Sequence, residues 1–216
     1  MSAGSLARPR ARDLVVWRVL FPLARALGFF LVPVRVEGLR HVPPSGPYLL
    51  VSNHLSWIDP PWLEFVVKVP IRYLAKRELF AVPVLGWLIM QSGVVPLERD
   101  SADHGALRRA LSFLASGEVV GIFPEGHRSR TGQLLRGRPG VAFIARRSGA
   151  LIVPVGFDGS DRARLGRFWR RDVTIRFGEP FRAAALAAGD EQAVADEIMR
   201  RIAALLPEER RGPYGA

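Results

Sequence analysis

The chain has 216 residues, of which 49% are hydrophobic and 24% charged, so it is long enough and apolar enough to bury a core of its own. It contains no cysteine, which excludes a disulfide framework, covalent chemistry at a thiolate and a cysteine-type zinc site. The net charge of +11, from basic residues that include only two lysines, Lys68 and Lys76, predicts an anionic partner. Because the mean hydropathy is nonetheless +0.12, a membrane surface fits this balance better than a nucleic-acid groove.

Residues 1–33 predict a basic tail followed by a membrane-associating helical segment. The stretch 14–34 is almost wholly apolar and is long enough to span a bilayer. However, Arg18 and Arg25 are seven residues apart and share one helical face, and Pro22 weakens a spanning helix. We therefore expect an amphipathic helix or helical pair that lies on a membrane surface, with a helix packed on the protein's own core as the alternative. Its apolar body would consist of Trp17, Phe21, Phe29 and Phe30.

From residue 35 onward, short β-branched runs alternate with helical patterns. This alternation predicts an α/β domain over residues 34–206, with a mixed, largely parallel sheet flanked by helices, and a loose tail over residues 207–216. The predicted strands are Val34–Glu37, Tyr48–Ser52, Ile71–Ala75, Gly93–Leu97, Val119–Phe123, Leu151–Phe157 and Val173–Phe177. The predicted helices are one that Asp59 caps before Pro60 and Pro61, then Ser101–Ala115, Pro139–Ser148 and Glu191–Leu206.

The segment NHLSWID, residues 53–59, follows a predicted strand, where α/β folds place functional groups. A carboxylate that accepts from one ring nitrogen of a histidine leaves the other nitrogen free to act as a base. His54 and Asp59 would be about 140° apart on a regular helix, so they meet only if a loop precedes the helix. The alternative is a structural histidine beside a helix-capping aspartate.

The segment FPEGHRSR, residues 123–130, follows another predicted strand. Gly126 permits close approach of the backbone to a ligand, and Arg128 and Arg130 carry forked donors that suit phosphate oxygens. Glu125 could hold these arginines in place. The alternative is a polar turn with an ion pair.

Two shorter segments complete the pattern. GVVPLERD, residues 93–100, places Arg99 at the end of a strand, with a solvated loop arginine as the alternative. VPVGF, residues 153–157, is an apolar strand and by itself indicates core.

Taken in order, these four segments resemble the four sequence blocks of the glycerolipid acyltransferases, the family that includes bacterial 1-acylglycerol-3-phosphate acyltransferases. The resemblance runs from about residue 34 to residue 180, and NHLSWID is its most specific part. It implies transfer of an acyl group from acyl-CoA or acyl-carrier protein to the free hydroxyl of 1-acylglycerol-3-phosphate, with no acyl-enzyme, cofactor or metal. It also implies that His54 is the general base and that Asp59 orients it.

The resemblance further implies a binding site for the phosphate end of the acceptor, formed by Arg99, Glu125, Gly126 and Arg128. Secondary contributions would come from Asn53, Ser56, Ser129 and Arg130. His127 stands where the family usually has threonine and is expected to face solvent, and Pro96 stands where an aromatic residue is frequent. Within the family, the acceptor could instead be another lysophospholipid, a lyso-amino-acid lipid or glycerol-3-phosphate.

Rival classes explain the sequence less well. A nucleic-acid-binding module would need a basic stripe with interleaved aromatics, whereas these arginines are scattered. A hydrolase would need a nucleophile elbow of the GxSxG kind, which the sequence lacks, and a metal site at His54 and Asp59 lacks obvious further ligands. A catalytically silent membrane scaffold would not need this pair together with a phosphate site.

The apolar segment 80–90 is too short to span a bilayer, so it either lines an acyl tunnel, dips into lipid, or forms a buried helix kinked at Pro83. Arg-rich flanks favour the anionic cytoplasmic leaflet. The sequence thus predicts a peripheral or monotopic protein on the cytoplasmic face of the cell membrane. Its expected partners are the bilayer, a lysophospholipid acceptor and an acyl donor, and not nucleic acid.

Overall fold

A computed structural model of the protein describes residues 21–76, 95–97, 104–163, 172–186 and 190–215. The helices of these ranges are α1 (Phe21–Leu31), α2 (Asp59–Val67), α3 (His104–Ala115), α4 (Gly140–Ser148) and α5 (Glu191–Ala203). The strands are β1 (Val34–Glu37), β2 (Tyr48–Ser52), β3 (Ile71–Lys76), β4 (Val95–Leu97), β5 (Val119–Ile122), β6 (Leu151–Asp158), β7 (Val173–Phe177) and β8 (Phe181–Arg182).

These strands form one sheet in the order β1-β7-β6-β2-β5-β3-β4, with β8 paired to β6. The pairs among β6, β2, β5, β3 and β4 are parallel, as is β1 with β7, whereas β7 and β8 run antiparallel to β6. The predicted mixed, largely parallel sheet is therefore confirmed. Because β2, β5 and β6 are parallel neighbours, the loops that follow them meet at one edge of the sheet.

The central strand β2 is buried along its whole length, as its run of apolar residues requires. Alternate side chains point to opposite faces, so Leu49 and Val51 join a core with α3, α4 and α5. Tyr48 and Leu50 join a second core that α2 covers. Helices thus cover both faces of the sheet, and the catalytic candidates emerge between the two cores at its edge.

The predicted elements agree with the structure except at some ends. The strand β8 was not predicted, since two residues carry no periodic signal. The last long helix ends at Ala203 and not at Leu206. Residues 80–90 and 99, together with Gly93 and Ser101 from predicted element ends, lie outside the described residues.

The helix α1 packs one face on α2 and exposes the other. Arg25 Nε donates to the carbonyl of Phe65 at 2.8 Å, and the rings of Phe29 and Trp62 are 5.2 Å apart. On the outer face, Leu23 and Leu27 are 65% and 55% exposed. The expected arginine edge is therefore turned toward the protein at Arg25, because its guanidinium finds a backbone acceptor there. None of the helices in the described ranges combines the length and apolarity that crossing a membrane requires.

The prediction of a loose tail is wrong. Residues 207–215 form two 3-10 turns, Glu208–Arg210 and Gly212–Tyr214, which pack against the body of the domain. Arg210 is only 9% exposed. The charged composition of this segment indicated solvation, but its arginine has carboxylate partners elsewhere in the fold.

Candidate active site

His54 and Asp59 meet in the loop between β2 and α2. The Nδ1 atom of His54 lies 3.0 Å from Oδ2 of Asp59, in a hydrogen bond that uses one ring nitrogen. Among the described residues, no group hydrogen-bonds the other ring nitrogen, Nε2, and the histidine side chain is 18% exposed. The loop that the spacing of the two residues requires is therefore present, and their pairing engages only Nδ1 of the imidazole.

The Asp59 carboxylate is fully buried and organises its own loop. Its Oδ2 atom also accepts from the backbone N–H groups of Leu55 at 2.8 Å and Ser56 at 2.7 Å. The expectation that Asp59 caps the helix is wrong, because α2 begins at Asp59 itself and the carboxylate turns back toward His54. Its other oxygen, Oδ1, has no hydrogen-bond partner in the described part of the chain. Three donors on one oxygen hold this carboxylate in a single orientation.

Phe123, the first residue of the FPEGHRSR segment, packs its ring against the face of the His54 ring. The two rings stack with their centroids 4.2 Å apart. The residue before the histidine, Asn53, is 1% exposed, and its amide bonds both the carbonyl and the N–H of Phe157 on β6, at 2.9 and 2.7 Å. The end of β2 is thus tied to β6 on one side and to the loop after β5 on the other.

Glu125 is buried, and its contacts are with the backbone. Its Oε2 accepts from the N–H of His54 at 2.9 Å and its Oε1 from the N–H of Leu135 at 3.0 Å. Burial raises the pKa of Glu125 to about 7, although these two hydrogen bonds oppose the rise. Both of its oxygens are therefore engaged by backbone groups, and this buried side chain joins the loop of His54 to the segment that contains Leu135.

The other members of the FPEGHRSR segment divide into exposed and buried groups. Arg128, Arg130 and His127 are exposed, as expected for the histidine. Ser129 is 4% exposed and donates its backbone N–H to the carbonyl of His54 at 2.8 Å. Ser56 contacts Asp59 through its backbone N–H. Arg99 lies outside the described residues.

Gly126 has a positive φ of 73°, which a side chain rarely adopts. A Cβ atom at this position would lie 2.7 Å from Nε of Arg138, so this arginine lies directly over the turn. Arg138 is exposed and has no carboxylate within 4.0 Å among the described residues. Arg138 was not among the predicted site residues, because its distance along the chain from Gly126 matches no local motif. The fold brings it to the turn through its N–H, which donates to the carbonyl of Pro124 at 2.9 Å.

The fold and the site define an α/β protein with a His–Asp pair and exposed arginines at the carboxyl edge of its parallel strands. A profile of the Acyltransferase family matches residues 33–158, more than half of the chain. The chain therefore belongs to the acyltransferase family.

Individual relatives agree with this assignment. The chain is 31% identical over 199 residues to the lyso-ornithine lipid O-acyltransferase of Pseudomonas aeruginosa, a match that covers 82% of the chain and 75% of that protein. It is 33% identical over 132 residues to the chloroplastic 1-acyl-sn-glycerol-3-phosphate acyltransferase LPAT1 of Arabidopsis thaliana, covering 60% of the chain but only 37% of the plant protein. The crystal structure of the 1-acyl-sn-glycerophosphate (LPA) acyltransferase PlsC from Thermotoga maritima superposes with a TM-score of 0.70 at 26% identity, covering 93% of the chain and 84% of PlsC.

Proposed function

We propose that this protein transfers an acyl group from an acyl thioester, acyl-CoA or acyl-carrier protein, to the free hydroxyl of 1-acylglycerol-3-phosphate. The observation that carries the proposal is the hydrogen bond between His54 Nδ1 and Asp59 Oδ2, which engages only one ring nitrogen of a side chain that is 18% exposed. The product would be phosphatidic acid, and the reaction would belong to phospholipid synthesis. No resident cofactor or metal enters the proposal, since a thioester is already activated.

In this mechanism, Nε2 of His54 takes the proton of the acceptor hydroxyl as its oxygen attacks the thioester carbonyl carbon. Asp59 stabilises the imidazolium that forms, through the same 3.0 Å contact that orients the ring. The tetrahedral intermediate then collapses, the carbon–sulfur bond breaks, and the proton passes from His54 to the departing thiolate. General-base assistance of this kind contributes about 10²–10⁴ in rate.

The phosphate of the acceptor is proposed to bind beside the turn at Gly126. Arg128 and Arg138 supply the cationic donors there, with Arg99 and Arg130 as further candidates. Glu125 and Ser129 hold the turn against the loop of His54 and need not touch the ligand. This division of roles places the anion and the attacking hydroxyl at the same edge of the sheet.

A lyso-ornithine lipid is the second candidate acceptor. The observation that favours it is the relative from Pseudomonas aeruginosa, which matches over four fifths of the chain. Such a lipid carries an amino acid head group and no phosphate. The two acceptors therefore make different demands on Arg128 and Arg138.

The helix α1 is proposed to dock on the cytoplasmic leaflet of the membrane, where either of the two candidate lipid acceptors would be found. Its outer face carries Leu23, Leu27 and Phe30, spaced three to four residues apart, with Phe30 63% exposed. The positive charge of the chain adds attraction to anionic lipid. In pelleting assays with phosphatidylcholine–phosphatidylglycerol vesicles, Leu27→Glu should weaken binding, whereas Leu39→Glu, at an exposed leucine outside α1, should not. An equal loss in the two variants would contradict docking through α1.

The direct test is a thiol-release assay with palmitoyl-CoA, run with 1-acylglycerol-3-phosphate, with lyso-ornithine lipid and without acceptor, and with the lipid products identified. The proposal predicts acceptor-dependent release and formation of phosphatidic acid. Release without acceptor would indicate a thioesterase and overturn the proposal. Release only with lyso-ornithine lipid would select the second candidate.

The variant Arg128→Ala separates the two acceptors further. It should raise the KM for 1-acylglycerol-3-phosphate and leave the KM for palmitoyl-CoA unchanged, because one cationic ligand of the phosphate is lost. Arg200→Ala, which removes an exposed arginine that pairs with Glu197 on α5, is the matched control. A change confined to the KM for palmitoyl-CoA would contradict the placement of the phosphate.

A further inference from the structure

The C-terminal segment, residues 207–215, packs against the loop 129–138, which follows the FPEG turn. Arg210 is at the centre of this contact. Its Nη1 and Nη2 atoms bond the two carboxylate oxygens of Asp161 at 3.0 and 3.2 Å, and its Nε lies 3.3 Å from Oδ1 of Asp158. A bidentate arginine–carboxylate pair of this kind is among the stronger and more directional polar contacts in proteins.

Arg210 also reaches the loop itself. Nη1 donates to the carbonyl of Gly132 at 2.9 Å, and Gly132 has a φ of +77°. A Cβ atom at Gly132 would collide with Nη1 of Arg210, so the loop approaches the guanidinium as closely as only glycine allows. The arginine therefore joins the loop to Asp158 and Asp161, at the end of β6 and in the turn after it.

Backbone and hydroxyl contacts fasten the same loop at two more points. The N–H of Leu134 donates to the carbonyl of Arg210 at 2.8 Å. The hydroxyl of Tyr214 accepts from the N–H of Gly137 at 3.1 Å and donates to Asp196 of α5 at 2.8 Å. The segment thus holds the loop at residues 132, 134 and 137.

The loop in turn is connected to the backbone of His54 at two points, near its beginning and near its end. At one end, Leu135 donates to Glu125, whose other oxygen accepts from the N–H of His54. At the other end, Ser129 donates to the carbonyl of His54 at 2.8 Å. Arg210 and the backbone of His54 are therefore connected through the loop, by hydrogen bonds at residues 132 and 134 on one side and at residues 129 and 135 on the other.

We propose that the C-terminal segment is a clamp for the active site and that Arg210 is a positioning residue. The clamp fixes the position of the loop that carries Ser129 and Arg138. Through Glu125, it also fixes the position of the His54 backbone at the end of β2. The kinetic consequences of the clamp rest on the proposed acyl transfer, whereas its effect on the loop does not. Residue 210 lies outside the range that the family profile matches, so it is not part of the shared blocks.

The kinetic test compares Arg210→Ala and Arg210→Lys with Arg211→Ala, the matched control from the same segment, whose Nε donates to Leu206 and not to the loop. Arg210→Ala should lower kcat/KM for the acceptor by roughly ten- to hundredfold through a raised KM, because a misplaced loop misplaces the phosphate ligands. The KM for palmitoyl-CoA should not change. Arg210→Lys should recover part of the loss, since it keeps the charge but not the fork.

A purely structural role would instead reduce the amount of folded enzyme, lowering kcat and leaving both KM values unchanged; that outcome would overturn the proposal. Tyr214→Phe, which removes one hydroxyl and keeps the ring, covers the case in which Arg210→Ala does not fold. It should raise the KM for the acceptor in the same direction by a smaller factor. An unchanged KM in Tyr214→Phe would likewise count against the clamp.

Amide hydrogen exchange tests the clamp without any substrate. Peptides covering residues 125–138 should exchange faster in Arg210→Ala than in wild type or Arg211→Ala. Unchanged protection there would overturn the clamp even in an active enzyme. Faster exchange in a protein that acylates no acceptor would refute the proposed function and leave the clamp standing.

Discussion

The two halves of the candidate site are held in different ways. The pairing of His54 with Asp59 depends on contacts within residues 54–59, where one carboxylate oxygen accepts from the imidazole and from two backbone N–H groups. The loop 129–138 depends on residues that are distant in sequence, above all Arg210 and Tyr214. The geometry of the His–Asp pair is therefore local and can be carried by a short motif, whereas the geometry of the loop 129–138, the proposed acceptor side, depends on the whole fold.

The variant Asp59→Asn disrupts the His54–Asp59 pair and should have the largest effect on catalysis. An amide cannot stabilise the imidazolium and places a donor where an acceptor is needed, so kcat should fall by about 10²–10⁴ with little change in either KM. The measurement is steady-state acyl transfer. Asp190→Asn, at the N-cap of α5, is the control, since asparagine caps a helix as well as aspartate. A fall in the control as large as in Asp59→Asn would show that the assay reports stability.

The variant Glu64→Gln tests how the stability of α2, the helix that begins at Asp59, depends on pH. Glu64 is buried in α2 and accepts from the N–H of Ile71 at 3.2 Å, and burial raises its pKa to about 7. The folded state therefore binds its proton more tightly than the unfolded state. The stability that this group contributes is complete below the unfolded pKa near 4.5 and is lost as the pH rises through about 7.

Urea unfolding at about pH 5 and about pH 8 measures this loss. The free energy of unfolding of the wild type should fall by about 3 kcal/mol more over this interval than that of Glu64→Gln, which has no proton to lose. Glu125, which has the same direction of shift, is present in both proteins and cancels. Parallel pH curves for the two proteins would contradict the raised pKa of Glu64.

The variant Glu125→Gln weakens the link between the two halves and should have the smallest effect. An amide can accept only one of the two backbone N–H groups, from His54 and Leu135, and leaves the other opposite a donor. The cost should be about 1–3 kcal/mol in stability, measured by denaturant unfolding. Catalysis should fall less than in Asp59→Asn, because the imidazole keeps its carboxylate. A larger loss than in Asp59→Asn would reverse this ranking of the two halves.

Much of the fold could be predicted from the sequence where local chemistry decides it. The run Tyr48–Ser52 is apolar on both faces and forms the central strand with the predicted bounds. The spacing of His54 and Asp59 showed that they could meet only through a loop, and the structure has such a loop between them.

The rest could not be predicted, because it depends on contacts that no local pattern shows. The charged residues around Arg210 have the composition of a solvated tail, and only the fold brings Asp158 and Asp161 to it. Arg138 likewise lies beside Gly126 only because the loop 129–138 returns to the turn. Asp59 had the position of a helix cap, yet its carboxylate bonds backward to the loop.

The role of His54 as the base for acyl transfer can be tested by comparing two histidine variants. Acceptor-dependent thiol release and lipid product formation are measured for His54→Ala and for His41→Ala, in which the histidine removed is one whose Nδ1 lies 2.9 Å from the carbonyl oxygen of Phe177. The account predicts a loss of about 10²–10⁴ in His54→Ala with the circular dichroism spectrum of the wild type, and near wild-type transfer in His41→Ala. Turnover in His54→Ala close to that of the wild type would contradict it.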